Sequence, residues 1–348
     1  MNTIKIASRA VGGNEPTFVV AEISANHRQD YSLAEQTIEA ARDAGADAVK
    51  LQTYTPDTIT LDCDSDDFKL QGTIWEGKTL YQLYQEAYTP WEWQPKLKRF
   101  AEDLGLICFS SPFDKTAVDF LEEMEVPAYK VASFEITDIP LIEYIASKNK
   151  PVMISTGIAQ IGDIEDAIDA CKRYDNEEVI LLKCTSAYPT PLSEVNLLTI
   201  PDLSRRFGVL AGLSDHTLGI SVPVAAVTLG ASLVEKHLTL SRDLGGPDAD
   251  FSLEPNEFET MVNTIREVEE ALGEVDYSLT DRMKRSREFS RSLYVAQDIN
   301  EGEPFTPNNV RSVRPGFGLP PKNLAKILGR KAKKAIKKGT PLAWELID

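Results

Sequence analysis

At 348 residues the chain is long enough for one large domain of about 250 residues plus a small one, or for two medium ones. Its 42% hydrophobic and 26% charged residues exclude a disordered chain, and no apolar run reaches the roughly 18 residues needed to span a bilayer. A formal net charge of −17 disfavours generic binding to nucleic acid or anionic membrane, although a local cluster of Lys, Arg or metal can still hold an anionic substrate.

The opening residues, MNTIKIASRAVGGNEP, carry no long apolar core of a signal peptide, so a cytoplasmic location is expected. From residue 17 to about 272, short β-branched apolar runs alternate with segments of helical period, the pattern of βα units around a parallel sheet. Strands are predicted at 17–23, 47–52, 106–110, 128–133, 151–156, 179–184, 209–214 and 232–237. In the first helical stretch, SLAEQTIEAARDAG, Ala34, Ile38, Ala41 and Ala44 form one face and Gly45 offers a stop. Residues 54–90, rich in aromatics and acids, form an insert between the second and third strands that is expected over the barrel mouth. Eight such repeats fit a closed (β/α)8 TIM barrel better than an open sheet.

The eighth helix, NEFETMVNTIREVEEALG, turns Phe258, Met261, Val262, Ile265 and Val268 inward, and the barrel is placed at 1–272. A polar linker follows at 273–288. Residues 289–348, punctuated by Gly, Pro and Asn, read as a small loop-rich second domain, and the basic stretch GRKAKKAIKKG within it as a solvated face. Cys63, Cys108, Cys171 and Cys184 have no CxxC spacing and read as reduced thiols.

A TIM barrel carries its active site at the C-terminal ends of its strands, so the polar residues that end each apolar run are the candidates. They are Glu22, Ser24, Asn26 and His27; Lys50 and Gln52; Ser110 and Ser111; Lys130, Ser133 and Glu135; Ser155 and Thr156; Lys183 and Thr185; Ser214, Asp215 and His216; Glu235, Lys236 and His237. All three histidines of the chain fall on strands one, seven and eight, neighbours in a closed barrel. They are either satisfied structural residues or a centre in which neutral imidazoles hold a divalent metal and leave positions open for substrate oxygens. Lys50 and Lys130 need anionic partners inside a barrel. With the hydroxyls of Ser111, Ser133, Ser155 and Ser214 they form a phosphate and carboxylate cradle, or they pair structurally with Glu22 or Glu235. The loop LGGPDADFS can bring Asp248 or Asp250 to a ligand. No P-loop, GxGxxG or GxSxG motif is present.

The segments AEISANH, GADAVKLQTYTP, CFSSPF, YKVASFE, ISTGIA, KCTSAYPTP, GLSDHT, VEKHLTL and SVRPGFGLPP, in that order, resemble the sialic acid synthase family over nearly the whole chain. The pieces GTIWEGKTLYQLYQEAYTPWEW and QTYTPDTITLD are most similar to the pseudaminic acid synthases within it. The resemblance implies a TIM barrel joined to a C-terminal domain like type III antifreeze protein (SAF-like), and a domain-swapped homodimer. It implies phosphoenolpyruvate binding by Lys50, Ser111, Lys130, Ser133, Ser155 and Ser214, and a divalent metal, Mn²⁺ with Mg²⁺ or Co²⁺ as alternatives, on His216 and His237. It further implies a catalytic role for Glu22, His216 and His237, and acceptor contacts from Phe113, Tyr188, Asp248 and, from the partner subunit's small domain, Arg314. Lys183 and Ser186 depart from the family's HCTN stretch, which points away from N-acetylmannosamine. The implied reaction condenses phosphoenolpyruvate with 2,4-diacetamido-2,4,6-trideoxy-L-altrose; alternatives are a manno-configured acceptor, as for legionaminic or N-acetylneuraminic acid, or a non-catalytic sugar-binding protein.

Overall fold

A computed structural model describes residues 3–72 and 75–348, which divide into two compact units, Met1–Gly273 and Glu274–Asp348. In the first, strands β1 (Thr3–Ile6) and β2 (Arg9–Gly12) form an antiparallel hairpin. Eight parallel strands follow: β3 (Phe18–Glu22), β4 (Ala48–Thr53), β5 (Ile107–Pro112), β6 (Tyr129–Val131), β7 (Val152–Ser155), β8 (Val179–Lys183), β9 (Leu210–Asp215) and β10 (Leu233–His237). They close into a barrel, β10 pairing with both β9 and β3. The expected TIM barrel is thus formed, with strand ends displaced by no more than two residues from the sequence reading.

Local chemistry explains the joints. Asp30 caps the helix Tyr31–Asp43 by accepting from the Ser32 and Leu33 amides at 2.9 and 3.2 Å. Gly45 ends the turn that follows with φ +83°, where a Cβ would be strained. Along each strand alternate side chains face opposite ways. Val19, Ala21, Val49 and Leu51 face the helix layer and pack with Ala34, Ile38, Ala41 and Phe258. Their neighbours Phe18, Val20, Ala48, Phe109, Ala128, Met153, Ile180, Leu182 and Leu233 fill the lower barrel interior.

The hairpin β1–β2 was not foreseen from the sequence. Its Ile4, Ile6 and Val11 pack with that interior cluster and cover apolar surface at the N-terminal end of the strands. The insert is built on the helices Pro56–Ile59 and Leu80–Ala87.

The second unit has a helix at Asp281–Arg287, within the stretch read as a linker, and an antiparallel pair, β11 (Ser292–Val295) with β12 (Val310–Val313). Its core contains Leu293, Val295, Phe305, Ile327, Ile336 and Leu342. In the basic stretch, Ala332 and Ile336 are buried while Arg330, Lys331, Lys333, Lys334, Lys337 and Lys338 are exposed. Across the chain the four cysteines are free thiols, and no helix among the described residues is long and apolar enough to cross a membrane.

Candidate active site

The alternation that puts Phe18 and Val20 in the lower barrel puts Glu22 above them, and the same rule raises Lys50, Ser111, Lys130, Ser155, Ser214 and Glu235 at the C-terminal ends of their strands. A cavity of about 230 Å³ lies there, lined by Lys50, Lys130, Ser133, Ser155, Ser214, His216, Glu235 and His237 on its polar side. Ser111 and Glu22 lie behind Lys50. Asp215, Lys236 and Lys183, strand-end candidates in the sequence, are corrected: each sits one step out of phase and leaves the cavity lining to its neighbours. Lys183 donates to the Cys184 carbonyl at 2.5 Å and to Thr185 Oγ1 at 3.2 Å.

Four charged side chains form one buried network. Lys50 Nζ pairs with Glu22 Oε2, lies 3.4 Å from Glu235 Oε1 and donates to Ser111 Oγ at 3.2 Å. Lys130 Nζ is 3.8 Å from the same Glu235 oxygen and donates to the Val131 carbonyl at 3.2 Å. Ser214 Oγ donates to Glu235 Oε1 at 3.1 Å. The structural ion pairs left open by the sequence are therefore present, and the same lysines line the cavity. Burial opposes ionisation of Glu235, but Lys130 and Lys50 outweigh it and hold the carboxyl below its usual range. Burial likewise opposes the Lys50 charge, and Glu22 and Glu235 overcome it, whereas Lys130 is held below the usual ammonium value by burial. Glu22 behaves differently: burial, against Lys50 and with the help of the Glu235 charge, pushes it up to about 7. It is the member of the network poised to exchange a proton near neutrality.

His216 and His237 stand together, ring centroids 5.3 Å apart. His216 Nδ1 is 3.2 Å from the Thr185 carbonyl and 3.9 Å from Cys184 Sγ. Donation from Nδ1–H to that carbonyl leaves the Nε2 lone pair free, the arrangement common behind metal-binding imidazoles. His237 Nδ1 is buried without a hydrogen-bond partner, 4.0 Å from Asp248 Oδ2. Burial, then the nearby His216 and Lys50 charges, pushes the His237 imidazole well below its usual value. His237, held neutral with an unused nitrogen, and the Nε2 of His216 fit a divalent cation, and two such ligands leave open positions for ligand oxygens. Among the described residues no group of three or more His, Cys, Asp or Glu is spaced to hold a metal ion.

His27 does not join them. Its Nε2 lies 3.0 Å from Thr89 Oγ1, its Nδ1 accepts from the Gln29 amide at 3.1 Å, and its ring meets Trp93 edge-on. Burial pushes its pKa down to about 4. Both nitrogens are occupied, so His27 is a satisfied structural histidine.

The rest of the cavity lining is mostly aromatic and apolar, and part of it packs against the two imidazoles. Tyr188 lies 4.5 Å from the His216 ring and 5.2 Å from Phe251, and Phe113 meets Tyr54, which meets Tyr84. Tyr54, Ile59, Leu83, Tyr84 and Ala87 come from the insert. The sequence placed that insert at the mouth without naming these residues; their spacing of three and four along Leu80–Ala87 was the available signal. Asp248 Oδ2 accepts from Ser24 Oγ, which also accepts from Gln52 Nε2 at 3.0 Å. Ser186 Oγ donates to Ser133 Oγ at 2.8 Å, and Gly157 lies so close that a Cβ there would be 2.5 Å from Ser133 Oγ. Glu135, pushed up to about 7 by burial against Lys130, also lines the cavity. The buried atoms Ser155 Oγ, Glu235 Oε2, Glu135 Oε2 and His237 Nδ1 have no hydrogen-bond partner, and all four belong to residues lining this one cavity. Such groups are costly unless a ligand satisfies them. Arg314 is exposed in the second unit, just after β12.

Residues 37–277 match the NeuB family, and residues 290–348 match the SAF domain. The chain belongs to the NeuB family. Within it, this NeuB chain is 47% identical to the pseudaminic acid synthase of Helicobacter pylori, over 96% of this chain and 98% of that protein. It is 44% identical to the pseudaminic acid synthase of Campylobacter jejuni, over 94% and 96%. Among solved structures it is similar to the N-acetylneuraminic acid synthetase of Leptospira borgpetersenii crystallised with citrate, with a TM-score of 0.74 and 31% identity over 83% of this chain and 96% of that one. The NeuB match takes in the cavity residues from Lys50 onward, with Glu22 and Ser24 lying before it, and the SAF match takes in Arg314.

Proposed function

We infer that this chain is a pseudaminic acid synthase, condensing phosphoenolpyruvate with 2,4-diacetamido-2,4,6-trideoxy-L-altrose and releasing phosphate. The observation that carries the reading is the cavity in which two lysines, the hydroxyls of Ser133, Ser155 and Ser214 and two neighbouring imidazoles form a polar side beside an apolar one. A phosphate and a carboxylate suit the first side, and an amino sugar with methyl and N-acyl groups suits the second. The greater identity to pseudaminic than to legionaminic acid synthases, 44–47% against 34–35%, favours the altrose acceptor over a manno-configured one.

Electrostatics support a cation on His216 and His237. Glu235 already neutralises much of the charge of Lys50 and Lys130, so a multiply charged anion entering beside them needs further positive charge. Manganese, or magnesium or cobalt, bound there would polarise the acceptor aldehyde as a Lewis acid. The chain's own groups do the rest. Lys50 and Lys130 hold the anion and fix its enol carbon beside the aldehyde; the hydroxyls of Ser133, Ser155 and Ser214 donate to its oxygens, and Ser111 steadies Lys50. As the enol carbon forms the new C–C bond, the aldehyde oxygen takes up a proton; Lys50, which lines the cavity, can deliver it, and Glu22 behind it, with its pKa about 7, can replace it. Water then adds to the oxocarbenium-like carbon, and the proton it loses returns through Lys50 to the Glu22 carboxylate. Collapse of that adduct breaks the C–O bond, and phosphate leaves with the former enol oxygen.

Phosphoenolpyruvate labelled with ¹⁸O at its bridging oxygen tests this reading. Acceptor-dependent phosphate release with the label in phosphate is expected; label retained in the sugar acid would contradict C–O cleavage, and no release would leave a binding protein as the better reading. Arg314 and a domain-swapped homodimer belong to the same proposal: Arg314→Ala is expected to raise the acceptor KM while leaving the phosphoenolpyruvate KM unchanged.

A further inference from the structure

The cation role proposed for His216 and His237 directs attention to what holds their two strands. β9 and β10 run side by side with Glu235 opposite Ser214 and Lys236 opposite Asp215. Ser214, His216, Glu235 and His237 line the cavity, so the intervening Asp215 and Lys236 project from the other face of the wall. Their side chains are 2% and 0% exposed. Lys236 Nζ donates to Asp215 Oδ2 at 2.6 Å and also to the Thr217 carbonyl. Asp215 in turn accepts from the Thr217 amide and from Thr217 Oγ1, both at 3.0 Å. The cluster therefore ties the two strands together and closes the backbone turn on both sides of His216.

A buried ion pair is a poor source of stability, because well-packed apolar residues of similar volume commonly do as well or better, but its hydrogen bonds are directional. Most of the outer wall of the barrel is apolar, with Leu213 and Val234 beside this pair, and the buried bonds of Thr53 to Ser110 and Gln94 on that wall are between neutral groups. A bonded charge pair at this one place, one residue from each histidine, fixes geometry that apolar packing leaves adjustable.

We propose that Asp215 and Lys236 are positioning residues that set the spacing and orientation of His216 and His237 for a divalent cation. The proposal rests on the cation reading of the two histidines and goes beyond it by assigning the residues that preorganise them. Neither Asp215 nor Lys236 touches the cavity, so their effect passes through the strands.

The test compares the full-length protein with the double variant Asp215→Leu/Lys236→Met, which removes both charges without leaving one unpaired. Mn²⁺ binding is followed by the electron paramagnetic resonance signal of free Mn²⁺, alongside thermal unfolding. The expected result is Mn²⁺ affinity weakened about tenfold or more with an unfolding temperature unchanged or raised, and recovery of affinity in Lys236→Arg, which keeps the bonded pair. Affinity within about threefold of the parent would overturn the proposal while leaving the cation reading intact. A parent protein that binds no Mn²⁺ would overturn both. Should the double variant not fold, Thr217→Val removes only the hydroxyl bond to Asp215: weaker Mn²⁺ binding supports the proposal and unchanged binding overturns it.

Discussion

The lower and upper halves of the barrel interior are built by the same eight strands and obey opposite rules. Below, Phe18, Val20, Phe109, Met153, Ile180 and Leu233 make an apolar plug sealed by Ile4, Ile6 and Val11. Above, two residues further along the strands, Glu22, Lys50, Lys130 and Glu235 bury four ionisable groups within a few ångströms of one another. The plug gains free energy from burial; the charged layer gives some of it back through desolvation. Stability and chemistry are thus separated along the strand axis, and a substitution should show which end it occupies by which property it alters.

The largest expected effect falls on the two imidazoles. His216→Ala or His237→Ala should lower turnover by about three orders of magnitude while leaving the unfolding transition nearly in place, since neither is part of the plug; phosphate release and circular dichroism measure the two. Lys50→Met should damage both properties, because it strands the carboxylates of Glu22 and Glu235: about 3–5 kcal/mol of stability and loss of phosphoenolpyruvate binding, read by urea unfolding and calorimetry. Leu233→Ala, in the plug, should cost a similar ~2–5 kcal/mol with kcat/KM unchanged in the folded fraction. Equal activity losses in Lys50→Met and Leu233→Ala would erase the distinction between the halves.

Glu135 sharpens the comparison through pH. Its folded pKa, about 7, lies above the ordinary 4.5, so the folded state binds the extra proton. Its favourable contribution is fully present below pH 4.5 and is lost as pH rises through 7, a difference of about 2 kcal/mol after allowance for partial solvation. Glu135→Gln should therefore gain stability relative to the parent across pH 4.5–7, in unfolding curves taken at intervals; a constant difference would show that burial does not shift this group. The smallest effect is expected from Met153→Leu, a volume-conserving change in the plug, at under ~1.5 kcal/mol with activity intact.

Much of this division was legible in the sequence. Apolar runs that end in Glu22, Lys50, Lys130 or His237 announce both the strand and the end that faces a ligand, because a TIM barrel places catalytic groups at the C-terminal strand ends. Partner choice was not legible: that Lys50 meets Glu22 and Glu235 depends on inter-strand register and barrel closure. Phase was the second limit. Asp215, Lys236 and Lys183 sit among the strand-end polar residues, yet a single step along a strand reverses the face, and only the observed register separates Lys236 from Glu235 and His237. His27 looked like its two counterparts until Thr89 and Gln29, remote or local contributions that strand position does not encode, took up both nitrogens. The hairpin β1–β2 escaped notice because four-residue strands give little periodicity to read.

The most direct test of the account is a side-by-side measurement of kcat/KM in saturating phosphoenolpyruvate and Mn²⁺. The acceptors are 2,4-diacetamido-2,4,6-trideoxy-L-altrose, 2,4-diacetamido-2,4,6-trideoxymannose and N-acetylmannosamine, with products identified by mass. The account predicts efficient turnover of the altrose derivative and little of the other two; preferential turnover of either manno-configured sugar, or phosphate release from none of the three, would contradict it.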